Sequence, residues 1–334
     1  MLTADLRHAI WQAAQSAVAD ADIPSLPELP DPSTLRPGAP GHYASTLPFL
    51  IPGAPPHDVA SILAPRLAAH PWIQQAEPTN GYLTCTVTPE ALTAQAVRIA
   101  QADNPAVSDI LRGMSQPPPA VTPLNDEISQ LLARTAGAFF PPVRSMDHPP
   151  AAAGPQPPSP AAIGEALAYA GPDVVRYLLI KAPTAPLRPA AVQASVRYHL
   201  DSPVYAVRYA HAHASATLRQ AAELGFSRGE TAGLPSGLLA HPCERVLLDA
   251  MSWLPERVAG AGRRGRPGDL ARYLEKLAGA YHDCRERCPA LPFGGHGAPR
   301  DERTIQARLW LVTAARAAVG AGLVLLGISA PERL

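Results

Sequence analysis

Lysine is almost absent from this sequence of 334 residues, in which Lys181 and Lys276 are the only examples. Arginine therefore carries most of the positive charge, and Lys+Arg 28 balance Asp+Glu 28, so the formal net charge is +0. A protein without a basic excess has no general attraction for nucleic acid, and any RNA contact must come from local patches. Arginine nevertheless provides rigid, bidentate donors for phosphate in such patches.

Cysteine and long hydrophobic runs are also scarce. The most apolar window, Leu309–Ile328, contains Arg316 and predicts a buried terminal helix rather than a membrane span. Met1–Ala19 contains charged residues and lacks the apolar core of a secretory signal, so we expect a cytoplasmic protein with reduced thiols and no membrane contact. The spacing of Cys284 and Cys288 is weak evidence for a metal site, and we predict no metal and no cofactor.

One segment, residues 201–225, has the pattern of a long helix. Asp201 and Ser202 offer capping oxygens, Pro203 suits a first turn, and Gly225 is a natural stop. At 100° per residue a polar stripe forms on one face. Its members are Arg208, His211, Ser215 and Arg219, with Tyr205 and Tyr209 on a neighbouring stripe. The pattern fits a solvated face of a bundle, and it also fits an RNA contact in which arginine pairs with phosphate and tyrosine stacks on bases.

The rest of the chain divides into an α+β part and a mainly helical part. Helical and strand patterns alternate up to a last helix at Pro89–Ala102, and helical patterns resume at Ile163. The segment between them is rich in proline and alanine and contains one predicted helix, Leu124–Phe140. We therefore predict an N-terminal α+β domain at 1–104, a linker at 105–160 and a helical bundle domain at 161–334.

Several motifs of the helical part resemble one enzyme family. Val204–His211 (VYAVRYAH) resembles the helix that opens the anticodon-binding domain of class I arginyl-tRNA synthetases, and Gly171–Leu179 (GPDVVRYLL) resembles the motif that gives this domain its name. Pro242–Leu254 and Pro267–Leu274 resemble two further helices of the domain, although Gly268 stands where the family has histidine. The chain end, from Ala307 through the tail PERL, is similar to the family's closing helix and tail.

The N-terminal part resembles the additional domain of the same family. Asn80–Thr84 (NGYLT) is similar to a strand motif whose aromatic and asparagine contact the tRNA elbow, and here these positions are Tyr82 and Thr84. The nucleotide-binding domain is not represented, because the sequence has neither the H-x-G-H nor the K-M-S-K signature that stabilises ATP phosphates. The resemblance thus implies the two tRNA-holding modules without catalytic residues.

These observations predict a non-catalytic, arginyl-tRNA synthetase-like protein that binds tRNA, expected to be the arginine acceptor, or a tRNA-like RNA. By this resemblance the elbow would meet Tyr82 and Thr84. The anticodon arm would meet Tyr205, Arg208, Tyr209, His211, Arg219, Arg263, Arg264, Arg266 and Arg333.

Two alternatives remain open at the sequence level. The bundle could serve as a scaffold that docks on a full-length synthetase or a biosynthetic enzyme, with RNA binding lost. An enzyme using His211 and His213 is disfavoured, because side chains two residues apart on a helix point about 200° apart.

Overall fold

The computed structural model describes residues 2–26, 34–101, 158–183, 185–229, 237–292 and 301–334. A small antiparallel sheet with helices is followed by a helical bundle, which confirms the predicted fold class. The helices are α1 (Leu2–Ala19), α2 (Pro56–Ala68), α3 (Pro89–Gln101), α4 (Pro160–Lys181), α5 (Pro189–Ser195), α6 (Pro203–Glu223), α7 (Pro242–Ser252), α8 (Leu254–Arg263), α9 (Pro267–Arg287) and α10 (Glu302–Leu325). The strands are β1 (Leu35–Pro37), β2 (His42–Ser45), β3 (Ile73–Thr79) and β4 (Tyr82–Val87).

The predicted domain boundaries stay predictions. The predicted helix Leu124–Phe140 and nearly all of the predicted linker lie outside the described residues.

The sheet has the order β1-β2-β4-β3 and is antiparallel throughout. Asn80 and Gly81 join β3 to β4 with positive φ at both positions, which a two-residue hairpin turn requires. Along β4, Leu83, Cys85 and Val87 are buried, and the strand packs against α2. The alternate residues of β4 therefore lie on the uncovered face of the sheet.

The N-terminal module, residues 2–101, packs directly on the helical bundle. Its helix α3 packs along α10 and also contacts α7, so buried residues of both parts form one hydrophobic core. The family resemblance places a catalytic domain between these two modules. In the described residues, the two modules contact each other directly.

A buried polar contact fixes this arrangement. The Tyr43 hydroxyl donates to Asp249 Oδ1 at 2.7 Å, and the Tyr43 ring lies 5.8 Å from the Trp253 ring. Thr3 Oγ1 donates to the Ser252 carbonyl at 2.6 Å. Burial raises the pKa of the Asp249 carboxyl, although the hydrogen bond from Tyr43 acts in the opposite direction.

Helix α9 begins against the end of α4. Gly268 lies so close to the Ile180 carbonyl oxygen that a Cβ at this position would approach it to 2.8 Å. A histidine, which the family resemblance would place here, cannot fit without a shift of the backbone. Helix α4 itself is kinked at Gly171, where φ is +76°.

Helix α10 is long and apolar enough to cross a membrane by length and composition alone. However, 72% of its apolar window is buried inside the protein. It lies between α3 and α6 and also contacts α7 and α9, so its apolar surface belongs to the core. This agrees with the buried terminal helix that the sequence predicts.

Candidate nucleic-acid interface

The C-terminal tail, defined here as Gly327–Leu334, is held by the motif of helix α4. The Arg176 guanidinium donates to the Gly327 carbonyl. The Ser329 amide donates to Asp173 Oδ1 at 3.2 Å, and the Ser329 hydroxyl donates to the other carboxylate oxygen. The charged residues of this motif, Asp173 and Arg176, therefore anchor the tail.

The tail then runs along the polar stripe of α6. Arg208 donates to Ser329 Oγ at 3.1 Å and lies 3.4 Å from Asp173. Farther along the helix, Arg219 donates to the Glu332 carbonyl at 3.2 Å. Three of the residues that the sequence predicts as RNA contacts, Arg208, His211 and Arg219, thus bind the protein's own tail, and the tail itself carries another of them, Arg333.

His211 is neutral in this contact. Its Nδ1 lies 2.9 Å from the Pro331 carbonyl, and because a carbonyl can only accept, Nδ1 carries the proton. Burial lowers the pKa of His211, and this outweighs the opposite effect of the Pro331 carbonyl. His211 therefore contributes a neutral hydrogen bond to tail docking.

Beside the tail, α6 and its neighbours form an aromatic row, defined as Tyr198, Tyr205, Tyr209 and His282. Tyr205 and Tyr209 stack with ring centroids 5.4 Å apart and an angle of 10°, as residues i and i+4 of a helix can. Tyr198 meets Tyr205 edge-on at 5.7 Å, and Tyr209 stacks on His282 at 5.7 Å. Tyr198 is 83% exposed, so the row is open to solvent at this end.

One arginine lies at the inner end of the row. The Arg285 guanidinium carbon lies 5.3 Å from the centroid of the Tyr209 ring. Its Nε donates to His282 Nδ1 at 3.2 Å, while His282 Nε2 donates to the Ala206 carbonyl at 3.0 Å. These bonds fix a neutral imidazole, whose pKa is lowered mainly by burial, and they orient the guanidinium over the tyrosine.

The sequence identifies Tyr205 and Tyr209 but not Tyr198, His282 or Arg285. Tyr198 precedes the helix, and the other two lie on α9, so only tertiary contacts reveal them.

His213 is half-buried and bonds within the bundle. Its Nδ1 lies 2.9 Å from the Tyr281 hydroxyl, and burial lowers its pKa to about 4, with Arg285 and His282 adding to the effect. His211 contacts Pro331 instead, so the two histidines have different neighbours, as their spacing predicts.

Arg263, Arg264 and Arg266 are exposed where α8 ends and α9 begins. Arg264 pairs with Asp269 at 3.1 Å. His282 follows fifteen residues after the start of α9 at Pro267, which corresponds to roughly 20 Å along the helix axis. The structure therefore does not bring this arginine cluster together with the aromatic row.

A family model described as the DALR anticodon binding domain matches residues 207–334. Residues 207–334 are therefore similar to this family. The match begins within α6 and includes the arginine cluster, Arg285 and the tail, while Tyr198 and Tyr205 lie just before it.

About half of the chain is similar to proteins named arginine–tRNA ligase. The enzyme of Frankia alni is 39% identical over 165 residues, which is 49% of this chain and 29% of the relative. The enzyme of Micrococcus luteus is 38% identical over 171 residues, which is 50% of this chain and 30% of the relative. The solved arginyl-tRNA synthetase of Thermus thermophilus is 27% identical with a TM-score of 0.39, and the match covers 63% of this chain and 32% of that structure's chain. The chain thus spans about 30% of the length of these curated relatives.

Outside residues 207–334, Tyr82 and Thr84 lie on the uncovered face of the sheet. Tyr82 is 39% exposed and packs on Phe49 with ring centroids 4.8 Å apart. Thr84 Oγ1 donates to the Glu77 carbonyl at 3.0 Å, so its hydroxyl proton is already engaged within the sheet. Contact of either residue with RNA stays a prediction.

Among the described residues, one group of possible metal ligands lies within 207–334. His241, Cys243 and Cys288 have ligand atoms within 4.8 Å of one another. The sequence draws attention to Cys284 and Cys288, with His282 and His296 as neighbouring histidines. In the structure, His282 faces Ala206 instead, and His296 lies outside the described residues. His241 and Cys243 are missed because they are about 45 residues away in sequence from Cys288.

Proposed function

We propose that this protein binds an RNA of the tRNA class through the aromatic row and does not itself catalyse aminoacylation. The observation that carries the proposal is the solvent-open stack of Tyr198, Tyr205 and Tyr209 beside Arg285, at the start of the segment similar to an anticodon binding domain. We place its action in the cytoplasm, where tRNA is available.

The row has the chemistry that single-stranded RNA loops require. Unpaired bases stack on exposed aromatic rings, and arginine adds a cation near the same surface. Tyr205 and Tyr209 are already parallel, so a base that stacks on the row does not have to order them first. An anticodon loop is a single-stranded target of this kind.

Phosphate contacts would come from a second surface. The exposed cluster Arg263, Arg264 and Arg266 lies roughly 20 Å away along α9. This distance suits contacts to separate parts of one arm rather than to one nucleotide. Arg264 shares its charge with Asp269, so we expect Arg266 to contribute more to phosphate binding.

The proposed lack of aminoacylation is supported by the sequence. Adenylation needs preorganised positive charge at the ATP phosphates, and the sequence contains neither signature motif that supplies it in the family. Purified protein is expected to show no arginine-dependent exchange of pyrophosphate into ATP, and measurable exchange would contradict this part of the proposal.

The main experiment is a mobility-shift titration with unfractionated tRNA across a salt series, followed by sequencing of the bound species. We expect saturable binding, enrichment of one isoacceptor family and a fall in affinity with salt. Tyr209→Ala should weaken binding by roughly 5- to 100-fold, because base stacking contributes about 1–3 kcal/mol. Arg266→Ala should reduce the salt slope by about one.

Tyr169→Ala is the matched control, since Tyr169 is 61% exposed on α4 and is not part of the row. It should bind like the wild type. Equal losses in Tyr209→Ala and Tyr169→Ala, or no binding at low salt, would refute RNA binding by the aromatic row.

A protein-docking scaffold is the second candidate, and one surface favours it. Phe49, Leu50 and Tyr82 are 47%, 45% and 39% exposed, and two of them are in ring contact. Such neighbouring apolar side chains are typical of a contact with another protein. If tRNA does not bind, a pull-down with a full-length arginyl-tRNA synthetase should succeed with the wild type and fail with Phe49→Ser.

A further inference from the structure

We propose that His241, Cys243 and Cys288, with Cys284 as the fourth ligand, form a binding site for a zinc-type divalent ion. The site joins the start of α7 to the end of α9. It is independent of RNA binding, because none of its residues belongs to the aromatic row, the tail or the arginine cluster.

The distances fit a tetrahedral ion. The Cys243 and Cys288 sulfurs are 3.5 Å apart, and His241 Nδ1 lies 2.9 Å from the Cys243 sulfur. Metal bonds of about 2.3 Å to sulfur and 2.0 Å to nitrogen place neighbouring donors about 3.5–3.8 Å apart. All three donor atoms lie within 4.8 Å of one another, so shifts on the order of 1 Å would enclose an ion.

The donor set selects the class of metal. Thiolates and an imidazole suit zinc, whereas calcium and magnesium prefer oxygen ligands. Cys284 lies one helical turn before Cys288, whose amide donates to the Cys284 carbonyl at 2.7 Å. The Cys284 sulfur is not within 4.8 Å of all three other donors, so Cys284, which is buried, would supply the fourth ligand only after a change of its side-chain rotamer.

The surrounding residues hold the two ligand-bearing segments in place. Arg308 donates to Glu244 Oε1 at 2.8 Å and to the Pro289 carbonyl at 2.9 Å. Glu244 in turn accepts from the His241 amide at 3.0 Å. Arg308 thereby ties the residue after Cys243 to the residue after Cys288.

Access and shielding also match a structural site. The three cysteines are buried, which protects metal–thiolate bonds, while His241 is exposed and leaves an entry path. Helices α7 and α9 pack along each other, so an ion at this end would cross-link two central helices of the bundle.

The first measurement is zinc content of full-length protein purified under reducing conditions, followed by a zinc titration against a chromophoric chelator. We expect one zinc per chain. Substitution by cobalt(II) should give the visible bands of tetrahedral coordination and near-ultraviolet bands of cobalt–thiolate charge transfer. Zinc should also raise the midpoint of thermal unfolding.

Variants assign the ligands. Cys288→Ser and Cys284→Ser should each weaken zinc binding at least tenfold, while Cys85→Ser, which removes a buried cysteine of the sheet, should leave it unchanged. His241→Asn should also weaken it at least tenfold. Because asparagine caps helices well, this variant keeps the start of α7 and stays informative if the cysteine variants fail to fold.

Less than a tenth of a zinc per chain together with no cobalt–thiolate band in fully reduced protein would overturn the proposal. Full zinc affinity in His241→Asn or Cys288→Ser would do the same. Unchanged affinity in Cys284→Ser would overturn the assignment of the fourth ligand.

Discussion

Replacing Tyr43 by phenylalanine would remove one hydroxyl from the contact between the N-terminal module and the helical bundle. This hydroxyl donates to Asp249 Oδ1 at 2.7 Å, whereas the Gly41 amide reaches the same oxygen only at 3.4 Å. The ring of phenylalanine keeps the apolar packing. The variant therefore tests the polar contact alone.

The expected cost follows from the charge of the acceptor. A hydrogen bond to a charged group contributes about 1.5–3 kcal/mol, and the loss leaves a largely buried carboxylate with one donor fewer. We expect the free energy of unfolding to fall by about 2 kcal/mol at neutral pH. With a denaturant slope of roughly 3 kcal/mol/M, the urea midpoint falls by about 0.7 M.

The cost should depend on pH in a defined direction. Burial raises the pKa of Asp249 and the Tyr43 bond opposes this, so removing the hydroxyl raises the folded-state pKa further. A carboxyl whose folded pKa lies above its unfolded value gains relative stability as pH falls, because the folded state then binds more protons. The difference between wild type and variant should therefore narrow from about pH 7.5 to about pH 5.

Urea unfolding should be followed by tryptophan fluorescence and by circular dichroism. Trp253 lies 5.8 Å from the Tyr43 ring and reports this contact, while circular dichroism reports the helices of the whole chain. Because both modules share one core, the two transitions should coincide. Tyr82→Phe, on the uncovered sheet face, is the matched control and should shift stability by less than about 0.5 kcal/mol. A change below about 0.3 kcal/mol in Tyr43→Phe, or a cost that grows toward acid pH, would refute the reasoning.

Three further substitutions test the bundle. Arg308→Met should reduce the free energy of unfolding in urea by about 3 kcal/mol, because it leaves Glu244, whose side chain is 1% exposed, buried without its partner. Arg272→Met removes an exposed pair with Asp269 and should cost less than about 1 kcal/mol, so equal effects of these two variants would contradict the burial argument. His213→Asn should make the stability of the fold less sensitive to acid. Burial lowers the pKa of His213 in the folded state to about 4, so the wild type loses stability as pH falls from about 6.5 toward 4. At pH 5 this loss should be about 1–2 kcal/mol after allowance for solvent screening. An unchanged pH profile of urea midpoints in His213→Asn would rule out this histidine as the cause.

Local structure was largely predictable from the sequence. Apolar periodicity and proline positions located α6, observed at Pro203–Glu223, within two residues at each end, because these signals are local. The cap was predicted wrongly. Ser202 is the N-cap residue, but its side chain makes no cap bond, and its hydroxyl donates to the Ser195 carbonyl instead. The three-residue strand β1 was missed, since its pairing with β2 leaves almost no pattern in the sequence.

The candidate site was only partly predictable, because its main contacts are distant in sequence. The helical period places Arg208 on a different stripe of the helix from Tyr205 and Tyr209. The structure confirms this separation, because Arg208 contacts the tail and the two tyrosines stack in the aromatic row. The helical period cannot reveal that Arg208 donates a hydrogen bond to Ser329, which lies 121 positions later in the sequence. For the same reason, the sequence did not reveal that Cys243 and Cys288 lie next to each other.

The contact between α4 and the tail also sets the order in which these parts can pack during synthesis on the ribosome. Asp173 and Arg176 bind residues that are synthesised 156 and 151 positions later. At translation rates of about 5–20 residues per second, helix α4 exists for several seconds before its partner emerges. During this interval its charged side chains face water, and the bundle cannot close around α6. Completion of the domain is therefore a late event that follows synthesis of the tail, and a stalled or truncated chain would expose the unfinished surface to chaperones and proteases.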